Sequence, residues 1–401
     1  MTTISRIPPT VLLAVAILVP LQAAGDDWPN FRGPNHDGIS AETGFTTAWT
    51  TAIPLVWERE IGDAFSSFAC VGDKVYTCGA EDGQQVIFCL NADNGEVVWK
   101  LPFEKRYRDP QGGDGTRATP TVSEGRVYIL GGHGRLLCLS ADKGKIIWDK
   151  KFNHKPQWGY SGSVLIEGNM AVVSPGDNHG SLIAYDKKTG KEIWKSGDDP
   201  AGYATPYPFT FNGKRYIVGF MAKSAVIVEA GTGRQVWRTK WKTAYDINAA
   251  DPIYHDGHLF LSSGYQTGSA LFKLAAAGDK LTAKEVWRGK TLMNKFQTPI
   301  LHDGKLYGSD QKALSCVDFL TGEQMWRKNR VKHGTLILAD GHLLLLTERG
   351  ELQIAPADPS AFEPVTTAEI LSGRCWTVSV LHDGRLYARN LKRVVCFDLK
   401  P

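Results

Sequence analysis

The chain has 401 residues, a formal net charge of +4 and 22% charged residues. Its lysines and arginines are scattered over turns and form no basic stripe, so no nucleic-acid partner is expected. A chain of this length would ordinarily suggest two or three domains, but an internal repeat predicts a single domain instead.

Residues 1–24 have the features of a secretory signal peptide. Arg6 supplies a positive start, and residues 11–21 form an apolar run that ends near the small residues Ala23 and Ala24. A run of this length is too short to span a bilayer comfortably. We expect export to the periplasm or the extracellular space, with no integral membrane segment after cleavage; an uncleaved N-terminal anchor is the alternative.

Residues 25–52 form a predicted irregular arm. The segment that begins Asp27-Trp28-Pro29-Asn30-Phe31 is rich in Gly and Pro, which disfavour regular structure. We expect Trp28 and Phe31 to pack against the domain that follows, with a docking element for a partner as the alternative.

A short hairpin recurs eight times between residues 53 and 401, and it predicts the architecture. Each copy places a turn glycine before a strand that is mostly apolar or aromatic; these glycines are Gly72, Gly125, Gly168, Gly213, Gly257, Gly304, Gly341 and Gly384. A spacing of about 44 residues is typical of propellers and solenoids. Asp-Gly and Asn-Gly favour two-residue hairpin turns.

A second hairpin follows in most units, and a tryptophan stands four residues after its glycine. These tryptophans are Trp99, Trp148, Trp194, Trp237 and Trp326. Two hairpins make four strands, which is one propeller blade. The sequence therefore predicts an all-β, eight-bladed β-propeller of four-stranded antiparallel blades, with the tryptophans packed between neighbouring blades.

The two ends of the repeat predict how the ring closes. The eighth unit ends at Pro401 without a tryptophan strand, whereas residues 54–60 contain one, around Trp57, with no unit before it. We expect this N-terminal strand to complete the last blade, since open sheet edges invite aggregation.

The positions of the cysteines follow the repeat and do not indicate a disulfide framework. Cys89, Cys138, Cys316 and Cys396 occupy the same place in their units, where a buried thiol behaves as a small apolar group. Cys70 and Cys78 flank the first hairpin of the first unit. The sequence does not decide whether they form a disulfide.

Several units can be matched to a known repeat. Ala118-Thr119-Pro120-Thr121-Val122 followed by Gly125-Arg126-Val127-Tyr128 resembles the repeat of the pyrroloquinoline-quinone (PQQ) β-propeller family, as does Phe296-Gln297-Thr298-Pro299-Ile300 followed by Gly304-Lys305-Leu306-Tyr307. The resemblance implies either an exported, non-catalytic binding or scaffold protein, or a PQQ-dependent alcohol or sugar dehydrogenase.

The dehydrogenase alternative would need PQQ with Ca²⁺, hard oxygen ligands for the ion and a carboxylate base. Members of that class use adjacent cysteines against the quinone, and no two cysteines are adjacent here. We find no Glu/Asn/Asp constellation for calcium. We therefore expect a non-catalytic binding protein with no cofactor or metal, and keep the dehydrogenase as the alternative.

The candidate site lies at the mouth of the central channel, where the chain enters each inner strand. Aromatic, cationic and amide side chains that converge there are suited to a planar or sugar-like ligand, or to a protein partner. The residues at these positions are Arg117, Trp158, Tyr160, Tyr203, Asp246, Asn248, Asn294, His333, Arg374 and Trp376. Under the dehydrogenase alternative Asp246 would be the catalytic base, and Arg117 or Arg374 would bind an anion.

Overall fold

The computed structural model describes residues 27–153 and 156–401. The predicted signal peptide, residues 1–24, lies outside these described residues. No helix in the described part of the chain has the length and apolar character to cross a membrane.

Eight antiparallel sheets form the predicted eight-bladed propeller. The first four blades comprise Ala69–Val71, Lys74–Glu81, Gln84–Asn91 and Val97–Lys105; Thr121–Ser123, Arg126–Leu130, Arg135–Ser140 and Ile146–Lys151; Leu165–Glu167, Met170–Val173, Leu182–Asp186 and Glu192–Ser196; and Tyr207–Phe211, Lys214–Phe220, Ser224–Glu229 and Gln235–Lys240. Within these four blades the strands run from the channel outward in chain order.

The last four blades continue the ring. They comprise Ile253–His255, His258–Ser263, Gly268–Ala277 and Lys280–Gly289; Ile300–His302, Lys305–Ser309, Ala313–Asp318 and Gln324–Asn329; Thr335–Ala339, His342–Leu346, Glu351–Pro356 and Thr366–Glu369; and Val380–His382, Arg385–Arg389, Arg393–Asp398 and Leu55–Glu60. Two 3₁₀ turns, Asp177–His179 and Ala244–Asp246, interrupt the connections.

The hairpin turns adopt the backbone that their sequences predict. In the sixth blade Asp303 has φ of 46° and Gly304 has φ of 71°. Two consecutive left-handed residues match the right-handed twist of the flanking strands. The middle strands that follow, such as Leu136 to Leu139, are buried on both faces because they lie between two neighbouring blades.

The tryptophans pack between blades, as predicted. The indole of Trp148 lies against Gly190 of the next blade, where an added Cβ would come within 2.8 Å of the ring. Its Nε1 donates to the carbonyl oxygen of Lys187 at 3.1 Å. The same pair of contacts joins Trp99 to Gly144 and to the carbonyl of Ala141. A glycine is required at this turn because the indole occupies the space of its side chain.

The N-terminal strand completes the eighth blade, which confirms the predicted closure. Leu55–Glu60 pairs with Arg393–Asp398, with Trp57 opposite Cys396. The seventh unit, which has the weakest repeat, is still a full blade. It gains a short parallel strand from the arm, Ile39–Ser40, on its channel side.

All seven cysteines are free and buried, so Cys70 and Cys78 do not form a disulfide. Cys70 lies opposite Val75 across the hairpin, and Cys78 lies opposite Ile87 on the other flank of its strand. Their side chains belong to different apolar clusters on opposite faces of the first blade, and thiols on opposite faces of a sheet cannot bridge.

Candidate ligand-binding site

A cavity of about 530 Å³ lies at the mouth of the central channel. We call it the funnel cavity. Most of its wall comes from the segments that enter the inner strands, and the segments ahead of the third and fifth blades contribute four residues each. Eight aromatic residues line it: Phe31, Phe65, Trp158, Tyr203, Tyr245, Tyr265, Phe296 and Trp376. Cavities of this size with mostly aromatic walls are typical of small-molecule sites.

The N-terminal arm closes the other end of the channel. It lies on the face of the first hairpins, where the amide of Gly72 donates to Asp27 at 2.9 Å and that of Gly384 donates to Glu42 at 2.7 Å. From there it enters the channel, buries Trp28 in the core and places Phe31 in the cavity wall. The funnel cavity is therefore blind and open only at its mouth.

Arg32 fixes the arm inside the channel. Its guanidinium is buried and donates to the carbonyl oxygens of Thr298 at 3.1 Å and Pro299 at 3.0 Å, both from the sixth blade. It also donates to the arm's own carbonyls at His36 (3.2 Å) and Asp37 (2.7 Å). Charge-assisted bonds of this kind are the stronger ones, so the floor of the cavity is rigidly held.

A chain of hydrogen bonds joins successive blades at the level of this floor. In each step a backbone amide donates to a side-chain oxygen of the next blade. The steps are Ser67 to Thr119 (3.1 Å), Thr119 to Ser163 (3.0 Å), Ser163 to Thr205 (3.1 Å), Thr205 to Asp251 (2.8 Å) and Asp251 to Thr298 (2.8 Å). We call these residues the acceptor ring. They bring one polar group from each of six blades to the channel axis.

Arg117 lines the cavity, and its positive charge is already paired with a carboxylate. The guanidinium forms a 2.7 Å ion pair with buried Asp109 and donates to the carbonyls of Gly113 and Gly115, each at 3.1 Å. It also lies over the ring of Tyr107, 4.8 Å from the centroid. These contacts fold residues 107–115 onto the mouth and leave Arg117 poorly suited to bind a further anion.

Lys295 is the cation that sequence reasoning missed. Its ammonium has no hydrogen-bond or ion-pair partner among the residues that the structure describes. It lies over three aromatic rings of the wall, at 5.1 Å from Tyr265, 5.5 Å from Phe296 and 5.8 Å from Trp376. Burial lowers the pKa of this ammonium. Because no ion pair holds this ammonium in the described chain, an anion that enters the cavity can pair with it.

Trp376 lines the cavity, while His333 and Arg374 support it from behind. The rings of His333 and Phe296 are stacked at 5.2 Å, and both pack against Trp376, at 5.1 and 5.0 Å. The guanidinium of Arg374 lies 4.4 Å from the Trp376 centroid and donates to the carbonyl of Gly112. Arg374 thereby links the eighth blade to the loop that carries Asp109.

Trp158 and Tyr203 also line the cavity, but four other predicted residues do not. Tyr160 donates to the carbonyl of Pro175 at 3.2 Å. Asn248 donates to the carbonyl of Met221 at 2.8 Å, and Asn294 to that of Ser309 at 2.9 Å. All three are buried and connect loops within the fold, because irregular backbone ahead of the inner strands needs side-chain partners.

Asp246, the fourth of these, is displaced from the cavity by its own turn. Tyr245 and Asp246 both have left-handed backbone, with φ of 62° and 56°. This backbone directs the exposed Tyr245 toward the mouth. Strained residues of this kind often occur at ligand sites. The carboxyl group of this segment that reaches the cavity is that of Asp251, five residues later.

Asp251 could have been found by aligning the repeats. Thr119-Pro120, Thr205-Pro206 and Thr298-Pro299 occupy equivalent positions, and Asp251-Pro252 replaces the hydroxyl by a carboxyl group there. Burial raises the pKa of Asp251 to about 7, with Arg32 acting in the opposite direction. A carboxyl group with this pKa changes protonation in the range where acid–base and switching groups operate.

The closed ring, its interblade tryptophans and its blind funnel define a β-propeller of the PQQ-repeat class. The chain belongs to the PQQ_2 family, described as outer membrane protein assembly factor BamB, whose profile matches residues 82–328.

Two curated relatives and one solved structure illustrate the range of similar proteins. The outer membrane protein assembly factor BamB of Burkholderia pseudomallei is 22% identical over 84% of this chain and 87% of its own length. A quinoprotein ethanol dehydrogenase of Pseudomonas aeruginosa is 31% identical, over only 40% of this chain and 28% of that enzyme. The quinohemoprotein alcohol dehydrogenase of Comamonas testosteroni has the same fold, with a TM-score of 0.66 at 13% identity over 93% of this chain and 80% of that one.

Proposed function

We propose that the protein is an exported, non-catalytic binding protein whose funnel cavity receives a small ligand or a side chain presented by a partner. The observation that carries this proposal is the blind cavity, with eight aromatic residues around its wall and an unpaired lysine near its mouth. The match to an outer membrane assembly factor over most of its length supports a scaffold that contacts other proteins.

The residues present do not fit a calcium-bound quinone. Calcium prefers six to eight oxygen ligands, several of them carboxylates. The cavity offers Asp109, which is paired with Arg117, and Asp251, which lies on the floor beside Arg32. No group of three or more His, Cys, Asp or Glu in the described chain is placed to hold a metal ion. The likeness to quinoprotein dehydrogenases nevertheless makes dye-linked alcohol oxidation the alternative to test.

Site-specific photo-crosslinking tests the proposal. A benzophenone amino acid at Tyr245, which is 63% exposed at the mouth, should crosslink a defined partner or become protected by a bound ligand. The matched control is Val365, which is 50% exposed beside the seventh blade and away from the funnel.

The two readouts separate binding from catalysis. Crosslinking at Tyr245 alone, or a thermal shift with a small ligand that Trp158→Ala abolishes, supports the binding role. Dye reduction by an alcohol after addition of PQQ and Ca²⁺ would favour the dehydrogenase instead. Equal crosslinking at both positions, together with no ligand-dependent shift, contradicts the proposal.

A further inference from the structure

Asp251 is the exception in the acceptor ring. The other four acceptors, Thr119, Ser163, Thr205 and Thr298, are hydroxyl groups that each receive one backbone amide. Asp251 accepts the equivalent hydrogen bond with a single oxygen, Oδ1, at 2.8 Å from the amide of Thr205. A hydroxyl would therefore suffice for the architecture, and the carboxyl group needs another explanation.

The second oxygen of Asp251 supplies one. Oδ2 has no hydrogen-bond partner within residues 27–153 and 156–401, although the residue is 95% buried and borders the funnel cavity. Oδ2 is not one of the fully buried side-chain atoms that lack a partner, so it keeps free surface in the wall of the funnel cavity. A ligand group that enters the cavity can therefore donate a hydrogen bond to Oδ2, which accepts none within the described residues.

Lys295 lines the same cavity as Asp251. It precedes Thr298 of the acceptor ring by three residues, on the segment that leads from the mouth to the floor. Three residues of backbone span at most about 10 Å. Thr298 in turn accepts from the amide of Asp251 at 2.8 Å, so Lys295 and Asp251 lie close enough in the cavity wall for one small compound to contact both.

Resting on the proposed function, we propose that the ligand is a compact aromatic acid whose far end carries a hydroxyl or amine donor. Its carboxylate pairs with Lys295 near the mouth, its ring lies among Trp158, Phe296 and Trp376, and its donor meets Oδ2 of Asp251. Arg117 forms part of the cavity wall but does not bind the carboxylate, because its charge is neutralised by Asp109.

Isothermal titration with three probes tests the two ends separately. The probes are 4-hydroxycinnamate, cinnamate, which lacks the donor, and 4-methylphenol, which lacks the acid. We expect 4-hydroxycinnamate to bind at least about tenfold more tightly than either of the others, a difference of about 1.4 kcal/mol.

Two substitutions test which residue binds the carboxylate of the ligand and which binds its donor. Lys295→Gln should weaken both acids about tenfold and leave 4-methylphenol unchanged. Asp251→Thr restores the hydroxyl found at Thr205 and Thr298, so the ring is preserved; it should reduce 4-hydroxycinnamate binding to the level of cinnamate. Asp251→Asn keeps an acceptor for the Thr205 amide and serves as a second variant in case Asp251→Thr does not fold. It should also reduce the affinity for 4-hydroxycinnamate relative to cinnamate.

The outcomes distinguish this inference from the proposed function. Equal affinities for the three probes, or equal losses for all of them in either variant, would overturn the ligand class. If none of the probes binds while Tyr245 still crosslinks a partner, the aromatic acid is wrong and the binding role stands. If the probes fail and Tyr245 crosslinks nothing, both proposals are wrong.

Discussion

The indole Nε1 of Trp57 donates a hydrogen bond of 2.9 Å to the backbone carbonyl oxygen of Ala92. Trp57 stands in the first strand of the propeller, which is the outer strand of the eighth blade, and Ala92 belongs to the first blade. The ring of Trp57 also packs on Gly95, where a Cβ would come within 2.6 Å. This contact joins the last blade to the first in the same way as Trp99 and Trp148 join their neighbouring blades.

Replacing Trp57 should therefore weaken ring closure. Trp57→Ala removes a buried indole and leaves a cavity, and we expect the free energy of unfolding to fall by about 3–5 kcal/mol. Urea titration followed by circular dichroism measures the change. Val56→Ala, at the exposed neighbouring position, is the control and should be nearly neutral. A loss for Trp57→Ala no larger than that of the control would argue against this closure.

The arm makes a second, independent prediction. Arg32→Met removes the donor for four carbonyl oxygens, of which those of Thr298 and Pro299 are deeply placed in the channel. Unsatisfied buried acceptors are costly, so we expect a loss of about 3 kcal/mol or more in unfolding free energy. The same variant should admit solvent to the cavity floor, which quenching of tryptophan fluorescence by acrylamide detects.

The control for Arg32 is Arg393→Met. Arg393 is 53% exposed and forms a 3.2 Å ion pair with Glu58. Exposed pairs contribute about 1 kcal/mol or less. If both arginine variants have the same stability, the arm does not hold the floor as the structure indicates.

The fold was predictable from the sequence because its signals are local. A hairpin turn depends on two residues, such as Asp303 and Gly304, and a left-handed glycine recurs at the first turn of every blade. Closure followed from counting strands at the two ends, since Trp57 lacked a unit of its own. The interblade packing followed because each tryptophan stands at a fixed distance from its turn.

The site was less predictable because its groups depart from the repeat. Phe31 and Arg32 reach the channel from an arm with no periodicity, so no pattern places them there. Ahead of the inner strands the backbone is irregular and the alternation of side chains fails. Asn294 accordingly turns inward to Ser309, whereas Lys295 lies along the wall. Asp251 was visible in the sequence as an Asp-Pro among Thr-Pro pairs.

The thiols provide a further test of the packing. Burial raises the pKa of Cys89 to about 12 and that of Cys138 to about 11, so both stay neutral near pH 8. We expect N-ethylmaleimide to label none of the seven cysteines in the folded protein and all of them in denaturant without a reductant. Mass spectrometry counts the adducts. Two fewer adducts in the denatured sample would reveal a disulfide and contradict the separation of Cys70 from Cys78.

The last prediction concerns the pH dependence of stability at Asp251. Its pKa is raised to about 7 by burial, against about 4 in an unfolded chain. Between these values the folded state binds a proton that the unfolded state has released, so stability falls as pH rises. Below pH 4 both states are protonated and above pH 7 both are ionised, so the slope is confined to this window.

Asp251→Asn isolates this contribution. The amide oxygen can still accept from Thr205, and every other titrating group, including His36, is common to both proteins. The stability of the wild type relative to Asp251→Asn should decline by up to about 4 kcal/mol from pH 4 to pH 8. Urea unfolding at one-unit intervals measures it. Parallel curves for the two proteins would mean that Asp251 ionises as freely in the fold as in the unfolded chain, and that the floor of the funnel cavity is more polar than its contacts indicate.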